Sequence, residues 1–109
     1  MNLWQLVKDR LWGNNSTWND RVHEVATRCA PQVLPHVERD AMLMTPEQRA
    51  GYLRARATRN VDRAVREHFA TSPPSERQRA ETEVLHRVVE MLLTALRSQP
   101  LPALRRRAA

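Results

Sequence analysis

The chain has 109 residues, 41% of them hydrophobic, which predicts one domain with one modest core. No uncharged apolar stretch approaches the ~18 residues of a membrane-spanning helix, so we expect no association with a membrane. The first residues lack the basic region that precedes the apolar part of a secretory signal. The single cysteine, Cys29, cannot form an intrachain disulfide, which is consistent with the reducing cytoplasm as the location.

The net charge of +6 arises in two parts of the chain. Basic and acidic residues balance over residues 1–45 and again over residues 71–104. Residues 46–70 contain six arginines and three carboxylates, and the C-terminal end contains Arg105, Arg106 and Arg107. A localised basic excess attracts anions, above all phosphate backbones and acidic protein surfaces.

The N-terminal third of the chain predicts short helices. Apolar residues at helical spacing favour a first helix over Asn2–Trp12, and the polar run Gly13–Ser16 is expected to end it. Thr17 followed by Asp20 matches a capping box. A second helix is therefore expected over Trp18–Ala30.

Two prolines follow that second helix. Pro31 and Pro35 are expected to break it, with a further short helix from Pro35 to Met44. Two helices joined in this way superficially match a helix-turn-helix. However, Arg39 is the only arginine or lysine of the second helix, which is a poor composition for a recognition helix.

Residues 45–70 contain a clear helix start. Thr45 is a favourable N-cap, Pro46 is suited to the first helical position, and Gln48 completes a capping box. The spacing of apolar residues predicts a helix from Pro46 to about Ala70, roughly 37 Å long at 1.5 Å per residue.

A second long helix is predicted after the prolines at 73 and 74. Ser75 is expected to cap it, with Gln78 at the capping-box position, and it should extend to Arg97. The fold expected is all-α: a small helical bundle built on a long antiparallel helical hairpin (about 46–70 and 75–97), with two or three short N-terminal helices packed across it. Residues 1–98 would form a single helical domain, and residues 99–109 a flexible basic tail.

The helix over 46–70 has two contrasting faces. Its apolar residues fall within an arc of about 120°, whereas five arginines and a tyrosine lie opposite. Such a face could bind phosphate or carboxylate groups, or could simply be solvated, with Glu67 pairing with Arg63. Arg54 projects toward the edge of the apolar face, so we expect it to be partly covered. The opposite face consists of Arg49, Tyr52, Arg56, Arg59, Asn60, Arg63 and Arg66.

The last helix is apolar over an arc of roughly 200°, wider than the ~100° of an ordinary surface helix. Either the N-terminal helices or a second subunit must cover the surplus, because exposure would create a large apolar patch. Sequence leaves both alternatives open. The arc contains Val84, Leu85, Val88, Val89, Met91, Leu92, Leu93, Ala95 and Leu96.

No motif indicates catalysis, a cofactor or a metal. Glu83 and His86 match the Glu-x-x-His spacing of di-iron bundles, but only one such motif is present, and it lies on a polar face. Cys29 is interpreted as a small buried hydrophobe. Trp4 and Trp18 are expected in the core, whereas Trp12 could contact a partner or cover the end of its helix. We therefore expect a protein that is not an enzyme.

Two functional hypotheses follow from these faces. The first is an interaction module that self-associates or binds a partner helix through the apolar face, with Leu85, Val89, Leu92, Leu93 and Leu96 at the contact. The alternative is nucleic-acid binding, in which the helix over 46–70 and the basic tail contact phosphates. An acidic protein would use the same basic face. The expected anion contacts are Arg49, Tyr52, Arg56, Arg59, Arg63, Arg66, Arg105, Arg106 and Arg107.

Overall fold

The computed structural model describes residues 14–98, which form three helices joined by short connections. Helix α1 spans Asn14–Met42, α2 spans Pro46–His68 and α3 spans Pro74–Ser98. Each helix packs against the other two. Between residues 14 and 98 there is no strand, and no helix there combines the length and apolarity that crossing a bilayer requires. The all-α expectation is confirmed.

The prediction of several short N-terminal helices is wrong for the described residues. A single helix of 29 residues, α1, includes Thr17, both prolines and residues 14–16 of the polar run that is predicted to end the first helix. Thr17 is therefore inside the helix rather than at its N-cap, and no helix-turn-helix exists there. Residues 14–98 form a bundle of three long helices rather than a hairpin crossed by short ones. The first predicted helix, over residues 2–12, lies outside the described residues.

Helix α1 continues through Pro31 and Pro35 because both prolines face solvent. A proline inside a helix leaves the carbonyl four residues earlier without its hydrogen bond. The residues that carry these two carbonyls, Thr27 and Pro31, are also exposed, so water can reach that side of the helix. On the opposite side Val33 and Val37 are buried, and this burial offsets the cost of the missing bonds.

The start of α2 matches the prediction. The Thr45 hydroxyl accepts a hydrogen bond from the Gln48 backbone N–H, and the Gln48 side chain accepts one from the Thr45 backbone N–H. The helix ends at His68, two residues before the predicted end, with Phe69 as its C-cap. Helix α3 begins at Pro74, so Ser75 lies inside the helix and is not its N-cap.

The core consists of buried residues that recur at every fourth position in all three helices. A row with this spacing turns by about 40° per step around an ideal helix, since each residue advances by 100°. One row can therefore face one neighbouring helix at its start and the other neighbour at its end. The rows are Val25, Cys29, Val33, Val37 and Ala41; Leu53, Ala57, Val61, Val65 and Phe69; and Ala80, Val84, Val88, Leu92 and Leu96.

An aromatic cluster closes the end of the bundle where α1 begins. The Trp18 and Phe69 rings lie 5.5 Å apart, and the Arg21 guanidinium lies 4.2 Å from the Phe69 ring. Trp18 Nε1 donates a hydrogen bond of 2.6 Å to Glu83 Oε2 in α3. Trp18 is thus partly buried against the core, as expected, and it ties α1 to the other two helices.

Candidate anion-binding groove

Three arginines of α2 stay on the surface as predicted. Arg56, Arg59 and Arg63 are exposed on one side of the helix. The Arg56 guanidinium lies 5.9 Å from the Tyr52 ring. Neither Arg59 nor Arg63 makes a hydrogen bond or an ion pair with another residue of 14–98. Seven residues separate Arg56 from Arg63, so the row is about 10 Å long.

Arg49 does not belong to this exposed row. It is partly buried, and its guanidinium donates to the carbonyls of Ala41 (2.8 Å) and Met44 (3.1 Å). These carbonyls lie at and just beyond the C-terminus of α1, where the helix dipole favours a cation. Arg49 therefore holds the end of α1 against the first turns of α2.

Two further members of the predicted face also have partners within the chain. The Tyr52 hydroxyl donates to Asp40 Oδ2 at 3.3 Å, and Arg66 forms an ion pair with Asp62 at 3.3 Å.

The Glu67–Arg63 pair considered from the sequence does not form. Arg54, expected to be partly covered, is exposed instead. That prediction is wrong: Arg54 is exposed although it directly follows the buried Leu53.

The exposed arginines border a groove between α1 and α2. The two helices run in opposite directions, since Trp18 lies beside Phe69 and Asp40 lies beside Tyr52. Midway, Asn60 Nδ2 donates to Gln32 Oε1 at 3.0 Å, and this amide pair bridges the groove. It separates two depressions of ≈ 370 and ≈ 210 Å³, both of which Arg63 also lines.

Helix α1 supplies a wall of this groove that the sequence analysis missed. Arg28, Gln32 and His36 line the depressions at every fourth position, one residue before the buried Cys29, Val33 and Val37. Their spacing is visible in the sequence. The predicted break at Pro31 and Pro35 hides this row, because it places Arg28 in the second helix, Gln32 in the connection and His36 in the short helix that follows.

The two depressions between α1 and α2 are more basic than a depression between α2 and α3 and one between α1 and α3. Four arginines line the two depressions between α1 and α2, and Glu67 is the only carboxylate there. Arg28 also forms an exposed ion pair with Glu24 at 2.9 Å. In contrast, arginines and carboxylates are equal in number in the depression between α2 and α3 and in the one between α1 and α3.

The wide apolar face of α3 is largely covered by the described chain itself. None of its nine residues is exposed, and the four that are not fully buried are half-buried. Among the described residues, Leu43 is the one large hydrophobic side chain that is mostly exposed, at 84%. The intramolecular alternative thus accounts for most of this face. The buried members are Val84, Val88, Val89, Leu92 and Leu96.

The polar residues considered for a metal have other partners. Glu83 binds Trp18 and lies 3.5 Å from Arg79, whereas His86 Nε2 lies 3.0 Å from Glu90 Oε1. No group of three potential metal ligands occurs within residues 14–98.

Cys29 is buried, as predicted for a small hydrophobe, and only 1% of it is exposed. Burial raises the pKa of its thiol above the ordinary value of 9.0. A thiol in this environment stays protonated and unreactive at neutral pH.

Five residues that carry predictions lie outside the described range. They are Trp4, Trp12 and the tail arginines Arg105, Arg106 and Arg107. Comparison with known proteins adds no assignment: the chain matches no family model, no curated protein and no solved structure.

Proposed function

We propose that this chain is a non-enzymatic helical interaction module that binds the phosphate backbone of a nucleic acid. The observation that carries the proposal is the row of Arg56, Arg59 and Arg63, which is exposed beside a groove with few carboxylates. Guanidinium groups bind phosphate oxygens through paired N–H donors. Such contacts give affinity with little sequence preference, because phosphates are the same at every position.

Self-association, or binding of a partner helix, through the apolar face of α3 is the weaker proposal. Leu85 and Leu93 are half-buried, and Val89, Leu92 and Leu96 are buried among the three helices. A second subunit would find little free apolar area there, whereas stable interfaces bury about 800 Å² per partner.

Fluorescence anisotropy with labelled duplex and single-stranded DNA tests nucleic-acid binding. At about 50 mM salt we expect measurable binding that weakens steeply as salt rises. Three phosphate contacts, one for each arginine of the row, predict a slope of log K against log salt of about −2.1 for a single strand.

Charge reversal then locates the surface. The double variant Arg56→Glu, Arg63→Glu should abolish binding, because it replaces two phosphate donors with carboxylates. The control Arg54→Glu, Arg97→Glu makes the same change in net charge at exposed positions outside the groove. Circular dichroism should show full helicity for both.

No binding of either nucleic acid by the parent protein, or equal losses in the two double variants, would refute the proposal. Poly-glutamate serves as a model of an acidic protein surface. If the parent protein bound poly-glutamate but neither nucleic acid, and the Arg56→Glu, Arg63→Glu variant lost this binding, the face would be assigned to an acidic protein partner instead.

A further inference from the structure

We infer that the groove between α1 and α2 binds a single strand of nucleic acid in preference to a duplex, with α1 as the second wall of the site. The inference rests on the function proposed above. It depends on the placement of basic residues on both sides of a concave surface rather than along one convex helix.

The two walls can reach the same backbone. On α1, Arg28 and His36 are eight residues apart, which is about 12 Å along the helix axis. On α2, Arg56 and Arg63 are about 10 Å apart. Packed helices have axes about 8–10 Å apart, so side chains from both walls meet over the groove between them. A strand lying along the groove would have guanidinium groups on both sides.

A duplex cannot use the groove in this way. One α-helix, about 10–12 Å across, fits the major groove of B-DNA, which is about 12 Å wide. The α1–α2 pair is about 20 Å wide, since its axes are about 8–10 Å apart, and is too broad to enter. A duplex would therefore touch only the rims of the groove, and fewer arginines would reach its phosphates.

The groove also presents hydrogen-bonding groups where a single strand could use them. The Gln32–Asn60 amide pair lies midway along it, and the Gln32 side chain is exposed. The base edges of a single strand are free to approach Gln32, whereas Asn60 Oδ1 is buried, with no hydrogen-bond partner among the described residues. The Tyr52 ring is no free stacking platform, because its hydroxyl binds Asp40 and Arg56 lies near its face. Affinity is therefore expected to come mainly from phosphates.

The test compares an oligothymidylate of about 15 nucleotides, within the range of known single-strand sites, with a duplex of the same length. With about four contacts to the single strand and two to the duplex, the slopes predict at least about tenfold tighter binding of the single strand at about 50 mM salt.

The single variant Arg28→Glu examines the α1 wall. Loss of one phosphate contact should weaken oligothymidylate binding about five- to tenfold at about 50 mM salt and reduce the salt slope by about 0.7. The single variant Arg54→Glu makes the same charge change on an exposed residue outside the groove, and we expect less than about a twofold effect.

Each outcome separates this inference from the proposed function. If both nucleic acids bind equally, or if Arg28→Glu behaves like Arg54→Glu, the single-strand groove is refuted while phosphate binding by α2 stands. If neither nucleic acid binds, the proposed function itself has failed. A single-strand preference that Arg28→Glu reduces, and Arg54→Glu does not, supports the groove.

Discussion

Replacing the two interior prolines of α1 with alanine is expected to stabilise the protein. A proline inside a helix costs about 3 kcal/mol relative to alanine, because it removes a hydrogen bond and crowds the preceding turn. At residue 31 an alanine N–H could reach the Thr27 carbonyl, and at residue 35 it could reach the carbonyl of residue 31. Both prolines are exposed, so neither substitution leaves a cavity in the core.

The unfolded state reduces this gain. Proline restricts the unfolded chain, and its loss costs about 0.4–1 kcal/mol per site. The expected net increase in the free energy of unfolding is therefore about 2 kcal/mol for Pro31→Ala and the same for Pro35→Ala. For a domain of this size, about 1 kcal/mol raises Tm by about 4–8 °C, so each variant should melt about 8–16 °C higher. Thermal melts followed by circular dichroism at the helix band of about 220 nm would measure the increase in Tm.

Two other prolines provide matched controls. Pro46 and Pro74 occupy the first positions of α2 and α3, where a helix makes no use of the missing N–H. Pro46→Ala and Pro74→Ala should lower the free energy of unfolding by about 0.4–1 kcal/mol, because the unfolded chain gains freedom and no helical hydrogen bond is added. The reasoning would be refuted if Pro31→Ala and Pro35→Ala were neutral or destabilising. That result would mean that the α1 backbone is adapted to its prolines.

The remaining predictions concern residues whose roles the structure assigns. Arg49→Leu should lower the free energy of unfolding by about 1–3 kcal/mol in urea titrations, because it removes two charged hydrogen bonds to carbonyls. A change near zero would refute the role of Arg49 in holding the end of α1. Leu92→Ala should cost about 2–5 kcal/mol whereas Leu43→Ala costs almost nothing, and equal effects would contradict their burial. Because burial raises the pKa of Cys29 above 9.0, unfolding releases a proton above that pH. Stability should therefore fall as pH rises from about 9, and Cys29→Ala should remove that part of the decline.

Local rules predicted α2 from the sequence because most local signals there agree. Thr45, Pro46 and Gln48 all specify the same start, and the one interior glycine, Gly51, opposes the helix by only about 1 kcal/mol. The same rules failed in α1, where the penalty of Pro31 and Pro35 opposed a continuous apolar row. That row gains its energy from contacts with α2 and α3, which no local rule includes. The prediction of Ser75 as the N-cap of α3 is wrong for a smaller reason, since Pro74 itself occupies the first position of that helix.

The candidate site was predictable only in part, for a related reason. The angular position of Arg56, Arg59 and Arg63 follows from the helix repeat alone, and all three are exposed. Whether another arginine of the same face lacks a partner within the protein depends on which residues pack beside it. Arg49 is held by the end of α1, and Arg66 by Asp62. The angular position on one helix cannot show which guanidinium groups find such partners.

The continuous helix α1 contributes to both the core and the groove, but through different residues. Stability and binding can therefore be changed separately. Because α1 stays helical through its prolines, the row of Arg28, Gln32 and His36 lies directly beside the buried row of the same helix. Pro31 and Pro35 line neither depression of the groove. Alanine at both positions should thus raise Tm without changing oligothymidylate affinity, whereas Arg28→Glu should lower affinity with little change in Tm, since its ion pair is exposed. A change of affinity in the proline variants would show that the walls of the groove depend on a bend in α1.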